Sequence, residues 1–313
     1  MTTDELIVEV RDGVGHLVLN RPRAINALTP GMLTGIHETL DAWAADDAVA
    51  RVELSGAGER GLCSGADVRA LRDEVLSGGD YLRFFAIEYP TNAAIKNFPK
   101  PYVAHQRGVV MGGGLGVSAH GSRRIAYPDS VFAMPETIIG FTPDVGIALY
   151  LAQAPGELGT HVALTGTPIN AADAVLVGLA DEIDTTEGEA PAGVLEGRRP
   201  WIDECYAGDD PAAIVAALER SAHEAARAAA SELRKRSPLS VAVSLEAIRR
   251  ARSMTTIEDV LEQDLQLART MVPASDFLEG VRAQLVDKDR NPSWQHARIE
   301  DVTRAEVLAR FGE

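Results

Sequence analysis

Two glycine-containing turns, Ser64-Gly65-Ala66-Asp67 and Gly112-Gly113-Gly114, constrain this chain more than any other feature. Each stands where a run of strand character gives way to one of helix character. Glycine there lets the backbone take left-handed dihedrals or approach a neighbour closely. At such a helix start the first N–H groups lack intrahelical partners and carry partial positive charge, so each turn can receive an anion. Brought together, the two would form an oxyanion hole. Taken singly, either is equally a tight turn or a packing contact.

Around these turns short strands alternate with helices. Residues 6–10 and 14–19 flank Asp12-Gly13, a favoured hairpin pair. Thr29-Pro30 offers an N-cap and a proline at the first helical position, and Leu33, Ile36, Leu40 and Trp43 follow at helical spacing. Residues 49–54, 101–107, 124–127 and 131–134 read as further strands, the 101–107 strand running into the glycine cluster. Residues 61–64 form a short extended run, and 66–77 and 80–97 read as helices, the second interrupted at Pro90. This alternation predicts an α/β fold with buried parallel strands. Residues 185–200, rich in Glu, Gly and Pro, read as a surface loop at a boundary, and 210–284 as almost wholly helical. The expected organisation is a core over 1–200 and a helical C-terminal region over 201–313.

Composition enters mainly as exclusion. Lys and Arg number 30 against 46 Asp and Glu, a net charge of −16, the wrong sign for a nucleic-acid partner. No run approaches the ~20 apolar residues of a membrane helix, so no membrane partner is expected. The two cysteines, Cys63 and Cys205, make neither a disulfide framework nor a Cys-x-x-Cys metal spacing, and no metal is expected. The acidic beginning, without a signal-like or Arg-rich segment, predicts a cytoplasmic protein. Metalloprotease, P-loop, nucleophile-elbow and dinucleotide fingerprints are all missing from the sequence.

Glu136 and Asp144 stand eight residues apart in apolar surroundings. Paired carboxyls in a dry pocket can divide into a base and an acid. Asp144, after Pro143, is equally placed to cap a helix, and Glu136 to sit on a solvated turn. Cys63 with His105 or His120 would be an acyl-transfer pair, but a small buried cysteine and packed core imidazoles are the commoner arrangement.

Taken in order, residues 20–28 (Asn-Arg-Pro-Arg-Ala-Ile-Asn-Ala-Leu), Cys63-Ser64-Gly65-Ala66-Asp67, the 108–116 glycine run, Met134-Pro135-Glu136 and Ala163-Leu164-Thr165-Gly166 resemble the crotonase (enoyl-CoA hydratase/isomerase) superfamily. The resemblance implies a crotonase-like spiral of ββα units with a helical C-terminal region, a homo-oligomer (trimer or hexamer) and an acyl-CoA substrate. It implies oxyanion donors at Ala66 and Gly113, flanked by Gly65 and Gly112 against the substrate, and no cofactor beyond the coenzyme A carried by that substrate. Hydratases of the family place a Glu just after the glycine cluster, where this chain has Gly116. It has instead Asp144 in Pro143-Asp144-Val145-Gly146, and in this it is similar to the 3-hydroxyisobutyryl-CoA hydrolase branch, as it is over 276–283 and 287–294. That likeness implies thioester hydrolysis to 3-hydroxyisobutyrate and CoA, a step of valine catabolism. Glu136 would act as nucleophile or as base for a water, Asp144 would move protons, and Glu88 would contact substrate. Arg21, Arg23 and Ala24 are the expected substrate-binding residues of the first motif, the arginines facing the CoA phosphates. Ala66 and Ile147, where these hydrolases often carry Gly, depart from the pattern. Hydration or isomerisation of an enoyl-CoA, and a non-catalytic acyl-CoA-binding subunit, remain the alternatives.

Overall fold

In the computed structural model, which describes residues 4–313, the Asp12-Gly13 pair turns as expected, both residues at positive φ (51° and 77°). It joins the first two of nine strands among the described residues: β1 (Leu6–Arg11), β2 (Val14–Leu19), β3 (Arg51–Gly56), β4 (Tyr102–Gln106), β5 (Val109–Met111), β6 (Arg123–Ala126), β7 (Val131–Ala133), β8 (Ile169–Asn170) and β9 (Glu182–Ile183). Six of them form one sheet in the order β1-β2-β3-β4-β6-β9, and three form a second, β5-β7-β8. Among these strands of the described residues, the hairpin β1/β2 and the pair β7/β8 run antiparallel and the other strand pairs are parallel, as the alternation with helices requires.

Between the strands lie α1 (Pro30–Ala44), α2 (Val68–Ser77), α3 (Leu82–Lys96) and α4 (Gly113–Ser118). The Thr29 side chain caps α1 by accepting from the Met32 N–H, and Leu33, Ile36, Leu40 and Trp43 are all buried. The structure departs from expectation at three places. The 101–107 strand does not run into the glycine cluster: β4 stops at Gln106, the chain turns at Gly108 (φ +52°), and β5 carries it there in the other sheet. Pro90 does not break α3, which continues because Phe85, Glu88, Tyr89, Asn92 and Ile95 are buried on either side of it. Tertiary burial there outweighs the ~3 kcal/mol that a mid-helix proline costs. The 185–200 region is not all loop, since the helix Leu195–Cys205 starts within it and buries Leu195, Trp201, Ile202 and Cys205.

From residue 195 to 281 the described chain is helical with short connections. One contiguous apolar cluster nevertheless runs from Leu6 through the sheets to Val307. The helix Ile257–Met271 packs on α3, and the helix Ser275–Val281 packs on α2 and on the turn Glu136–Ile139. The two glycine turns and both candidate carboxyls lie where these elements meet.

Candidate functional site

The glycine turns are brought together by backbone pairing. Gly61 bridges Gly108 and Cys63 bridges Val110, with the Cys63 N–H donating to Val109 O and the Met111 N–H to Cys63 O, each at 3.0 Å. Asn26, fully buried, pins the same stretch: its Nδ2 donates to the carbonyls of Ala57, Gly61 and Leu62 at 3.1 Å, and its Oδ1 accepts from the Arg21 N–H at 2.9 Å. The turns end up almost touching. A Cβ placed on Gly65 would lie 3.5 Å from Gly113 N, and one on Gly113 would lie 3.4 Å from Ala66 N. Gly65 (φ +106°) needs the freedom of glycine to make this approach. Neither the Ala66 nor the Gly113 N–H donates to any oxygen among the described residues. Two neighbouring unpaired donors, near the starts of α2 and α4, are what a developing oxyanion requires.

Carboxyls surround these donors. Glu136 opens the turn after β7 and is buried, so it does not sit on a solvated turn. Asp144 is 6% exposed and caps no helix, since the helix Ala148–Leu151 has Ile147 at its N-cap; its Oδ2 accepts from the Tyr89 hydroxyl at 2.9 Å. Glu88 is 1% exposed, on the inner face of α3. A Cβ on Gly113 would stand 2.7 Å from Glu88 Oε1, and one on Gly112 would stand 3.0 Å from Glu136 Oε1. Burial pushes Asp144 up to about 7, with the Tyr89 hydroxyl opposing. Burial, and then the charge of Asp144, hold Glu136 and Glu88 well above the usual carboxylate range. Glu88 Oε1 and Glu136 Oε2 have no hydrogen-bond partner among the described residues.

All of this lines a cleft of about 1340 Å³, whose inner end is closed by Phe85, Phe141 and Phe277. Its outer part is basic, with Arg23, Arg69, Lys235, Lys288 and Arg290 among the lining residues. Arg23 and Ala24 thus face the cleft, as do Gly65, Ala66, Gly112 and Gly113. Arg21 does not. Its guanidinium donates to Ala27 O and pairs with Glu5 (3.0 Å) and Asp67 (3.6 Å), which makes it a brace for the loop and not a phosphate ligand. Cys63 is no nucleophile here: burial pushes its thiol up to about 12, and its hydrogen-bond partners are Asn26 and Gly65, with no histidine. His120 instead hydrogen-bonds Val145 O, and His105 the Tyr127 hydroxyl. At Gly116 a Cβ would meet Val145 Cβ at 2.8 Å and Asn92 Nδ2 at 2.9 Å, so a glutamate has no room without displacing them.

Sequence reasoning missed Tyr89, Lys288, Arg290 and a fourth buried acid, Asp264, which is 1% exposed. Asp264 left a signal. It stands four residues after Val260 and three before Leu267, in the buried stripe of its helix, where an acid is out of place.

Comparison with known proteins agrees with this geometry. The sequence model of the family described as enoyl-CoA hydratase/isomerase matches residues 14–190 and 182–311. Among curated relatives, the mitochondrial 3-hydroxyisobutyryl-CoA hydrolase of Bos taurus is 34% identical, over 96% of this chain and 86% of its own length. The 3-hydroxyisobutyryl-CoA hydrolase 1 of Arabidopsis thaliana is 34% identical over 98% of this chain and 91% of its own. Among solved structures, a carnitinyl-CoA dehydratase from Mycobacterium thermoresistibile superposes with a TM-score of 0.94 at 44% identity, over 99% of this chain and 96% of that one. An enoyl-CoA hydratase from Rhodobacter sphaeroides gives 0.93 at 34% identity, over 98% and 97%. These relatives correct one expectation: the hydrolases matched from Bos taurus, Rattus norvegicus, Gallus gallus and Homo sapiens are named mitochondrial, which contradicts a cytoplasmic assignment. Matched along nearly its whole length in both sequence and fold, the chain belongs to the enoyl-CoA hydratase/isomerase family.

Proposed function

We propose that the protein hydrolyses a short 3-hydroxyacyl-CoA thioester, 3-hydroxyisobutyryl-CoA first among them, to the hydroxy acid and free CoA. The observation that carries this reading is the placement of acids. The second carboxyl beside Glu136 comes from Asp144, while the position at which family hydratases carry theirs is Gly116, with Val145 and Asn92 against it. The curated hydrolases matched at about one-third identity support the same reading.

The thioester oxygen lies between the N–H groups of Ala66 and Gly113, and the CoA phosphates meet the basic outer cleft, with Arg23, Lys288 and Arg290 free of ion pairs among the described residues. The buried carboxyls cannot all be ionised, so Glu136 and Asp144 share a proton and titrate as a pair. Glu136 supplies the attacking oxygen, its own or that of a water it deprotonates. As the new C–O bond forms, negative charge moves to the thioester oxygen and is held by the two N–H groups; each such donor is worth ~3 kcal/mol of barrier. Collapse breaks the C–S bond, and the thiolate leaves with the proton that Asp144 carries; where Glu136 itself attacks, a water then cleaves the acyl–Glu136 anhydride, releasing the hydroxy acid and restoring the carboxylate. Glu88 faces the acyl group, and the assembled enzyme is a trimer or hexamer.

The test supplies 3-hydroxyisobutyryl-CoA and, separately, crotonyl-CoA, and follows thiol release and loss of enoyl absorbance together. Thiol release from the hydroxyacyl thioester, abolished in Glu136→Gln and Asp144→Asn, is the expected result. Enoyl loss without thiol release assigns the protein to hydration, the activity named for its 34%-identical structural neighbour from Rhodobacter sphaeroides. Binding of either thioester without turnover leaves an acyl-CoA-binding subunit.

A further inference from the structure

The loop that carries Asp144 is a strained point of the cleft. Val145, β-branched and 1% exposed, sits at φ +52°, and Gly146 follows at +76°. A β-branched residue in the left-handed region persists only where its surroundings over-determine it. Three hydrogen bonds do so here, one to each residue of the loop. The Tyr89 hydroxyl donates to Asp144 Oδ2 at 2.9 Å, His120 Nε2 to Val145 O at 2.7 Å, and the Gly146 N–H to Asp264 Oδ2 at 2.8 Å. For Nε2 to donate, the His120 proton must be on that nitrogen, which leaves Nδ1 to accept from the Tyr150 hydroxyl at 3.2 Å. Burial lowers His120 to about 4, so this neutral form holds through the physiological range. The loop is also wedged sterically: a Cβ on Gly146 would meet Ile257 Cδ1 at 2.8 Å and His120 Cε1 at 3.1 Å.

Neither His120 nor Asp264 lines the cleft. Asp264 is an acid kept in an apolar helix stripe with one oxygen lacking any partner among the described residues, an arrangement that costs stability. Its one hydrogen bond among the described residues is from the Gly146 N–H, 118 residues away in the chain. We propose that His120 and Asp264 are positioning residues that hold the 144–146 loop in its left-handed conformation and so aim Asp144 at the reacting thioester. The inference rests on the reading of Asp144 as a reacting carboxyl.

The experiment compares four full-length variants, Asp264→Ala, Asp264→Asn, His120→Ala and His120→Gln, with wild type and Asp144→Asn, by steady-state kinetics on 3-hydroxyisobutyryl-CoA, with circular dichroism and thermal unfolding of each. The amides preserve an acceptor for Gly146 and a donor for Val145; the alanines do not. Displacement of a reacting group by about 1 Å lowers turnover about 100-fold, so kcat should fall by about that factor in both alanine variants. KM should stay within about threefold, and the amide variants should recover at least about tenfold of the loss. Alanine variants that fold and turn over at the wild-type rate, or amides no better than the alanines, overturn the positioning role. If that happens while Asp144→Asn is inactive, the hydrolase reading stands without it; if wild type releases no thiol, both fall together.

Discussion

Removal of the Tyr89 hydroxyl should move the alkaline limb of the pH–rate profile without disabling the enzyme. Tyr89 and Asp144 are both buried and their hydrogen bond is 2.9 Å long. Burial and the neighbouring acids hold the phenol well above its ordinary range, so it is a neutral donor at every working pH. A hydrogen bond to a charged group contributes about 1.5–3 kcal/mol, and it favours ionised over protonated Asp144. At 1.36 kcal/mol per pKa unit, its loss in Tyr89→Phe raises Asp144 by about 1–2 units, from about 7 to about 8–9. Asp144 then keeps the proton it gives to the departing thiolate to higher pH, so the alkaline limb of the profile moves up by the same about 1–2 units and the rate at pH 7 does not fall. The ring itself remains to pack on Phe85, 5.5 Å away between centroids, so the fold is unaffected. The assay is kcat from thiol release between pH 5.5 and 9.5, with spontaneous thioester hydrolysis subtracted. A limb that stays in place, or a rate lowered by one factor at every pH, refutes the reasoning.

Three further outcomes follow from the same geometry. Because burial raises Asp144 from 3.8 to about 7, its contribution to folding is complete below pH ~4 and is lost as the pH rises through 7; Asp144→Asn should therefore gain stability over wild type between pH 4 and 8, by a few kcal/mol in urea unfolding. Gly113→Ala puts a methyl 2.7 Å from Glu88 Oε1, crowding the oxyanion position, and should lower kcat about 100-fold with an unchanged far-ultraviolet spectrum. Lys288→Gln with Arg290→Gln should raise KM for the CoA ester several-fold while leaving kcat alone, and the difference should vanish by ~1 M salt.

What could be read from the sequence was what local rules govern. The Asp12-Gly13 hairpin and the Thr29 cap depend on residues within a few positions of each other, and both stand where the pattern puts them. The two glycine turns were visible as turns, but their meeting depends on Asn26 reaching three carbonyls over 30 residues away, which spacing does not encode. Pro90 and the Glu-, Gly- and Pro-rich 185–200 stretch misled for one reason: proline and composition rules are local, while the burial that overrides them in α3 and in Leu195–Cys205 comes from distant elements. Arg21 was misassigned because a cation in a phosphate-binding context and a cation bracing a loop look alike until Glu5 and Asp67 are placed beside it. Asp264 was hidden for a different reason, since its hydrogen-bond partner among the described residues is a backbone N–H and so has no side-chain signature at all.

The bond between Gly146 and Asp264 also bears on how the protein is made. Its two ends are 118 residues apart, and at ~5–20 residues per second a ribosome needs roughly 6–24 s to travel from one to the other. Throughout that interval the loop has been synthesised but its holder has not, and the apolar side of α3 that the helix Ile257–Met271 will cover is open. In a nascent chain the 144–146 loop therefore waits for its holder, and the apolar side of α3 stays open to chaperones, until that helix docks.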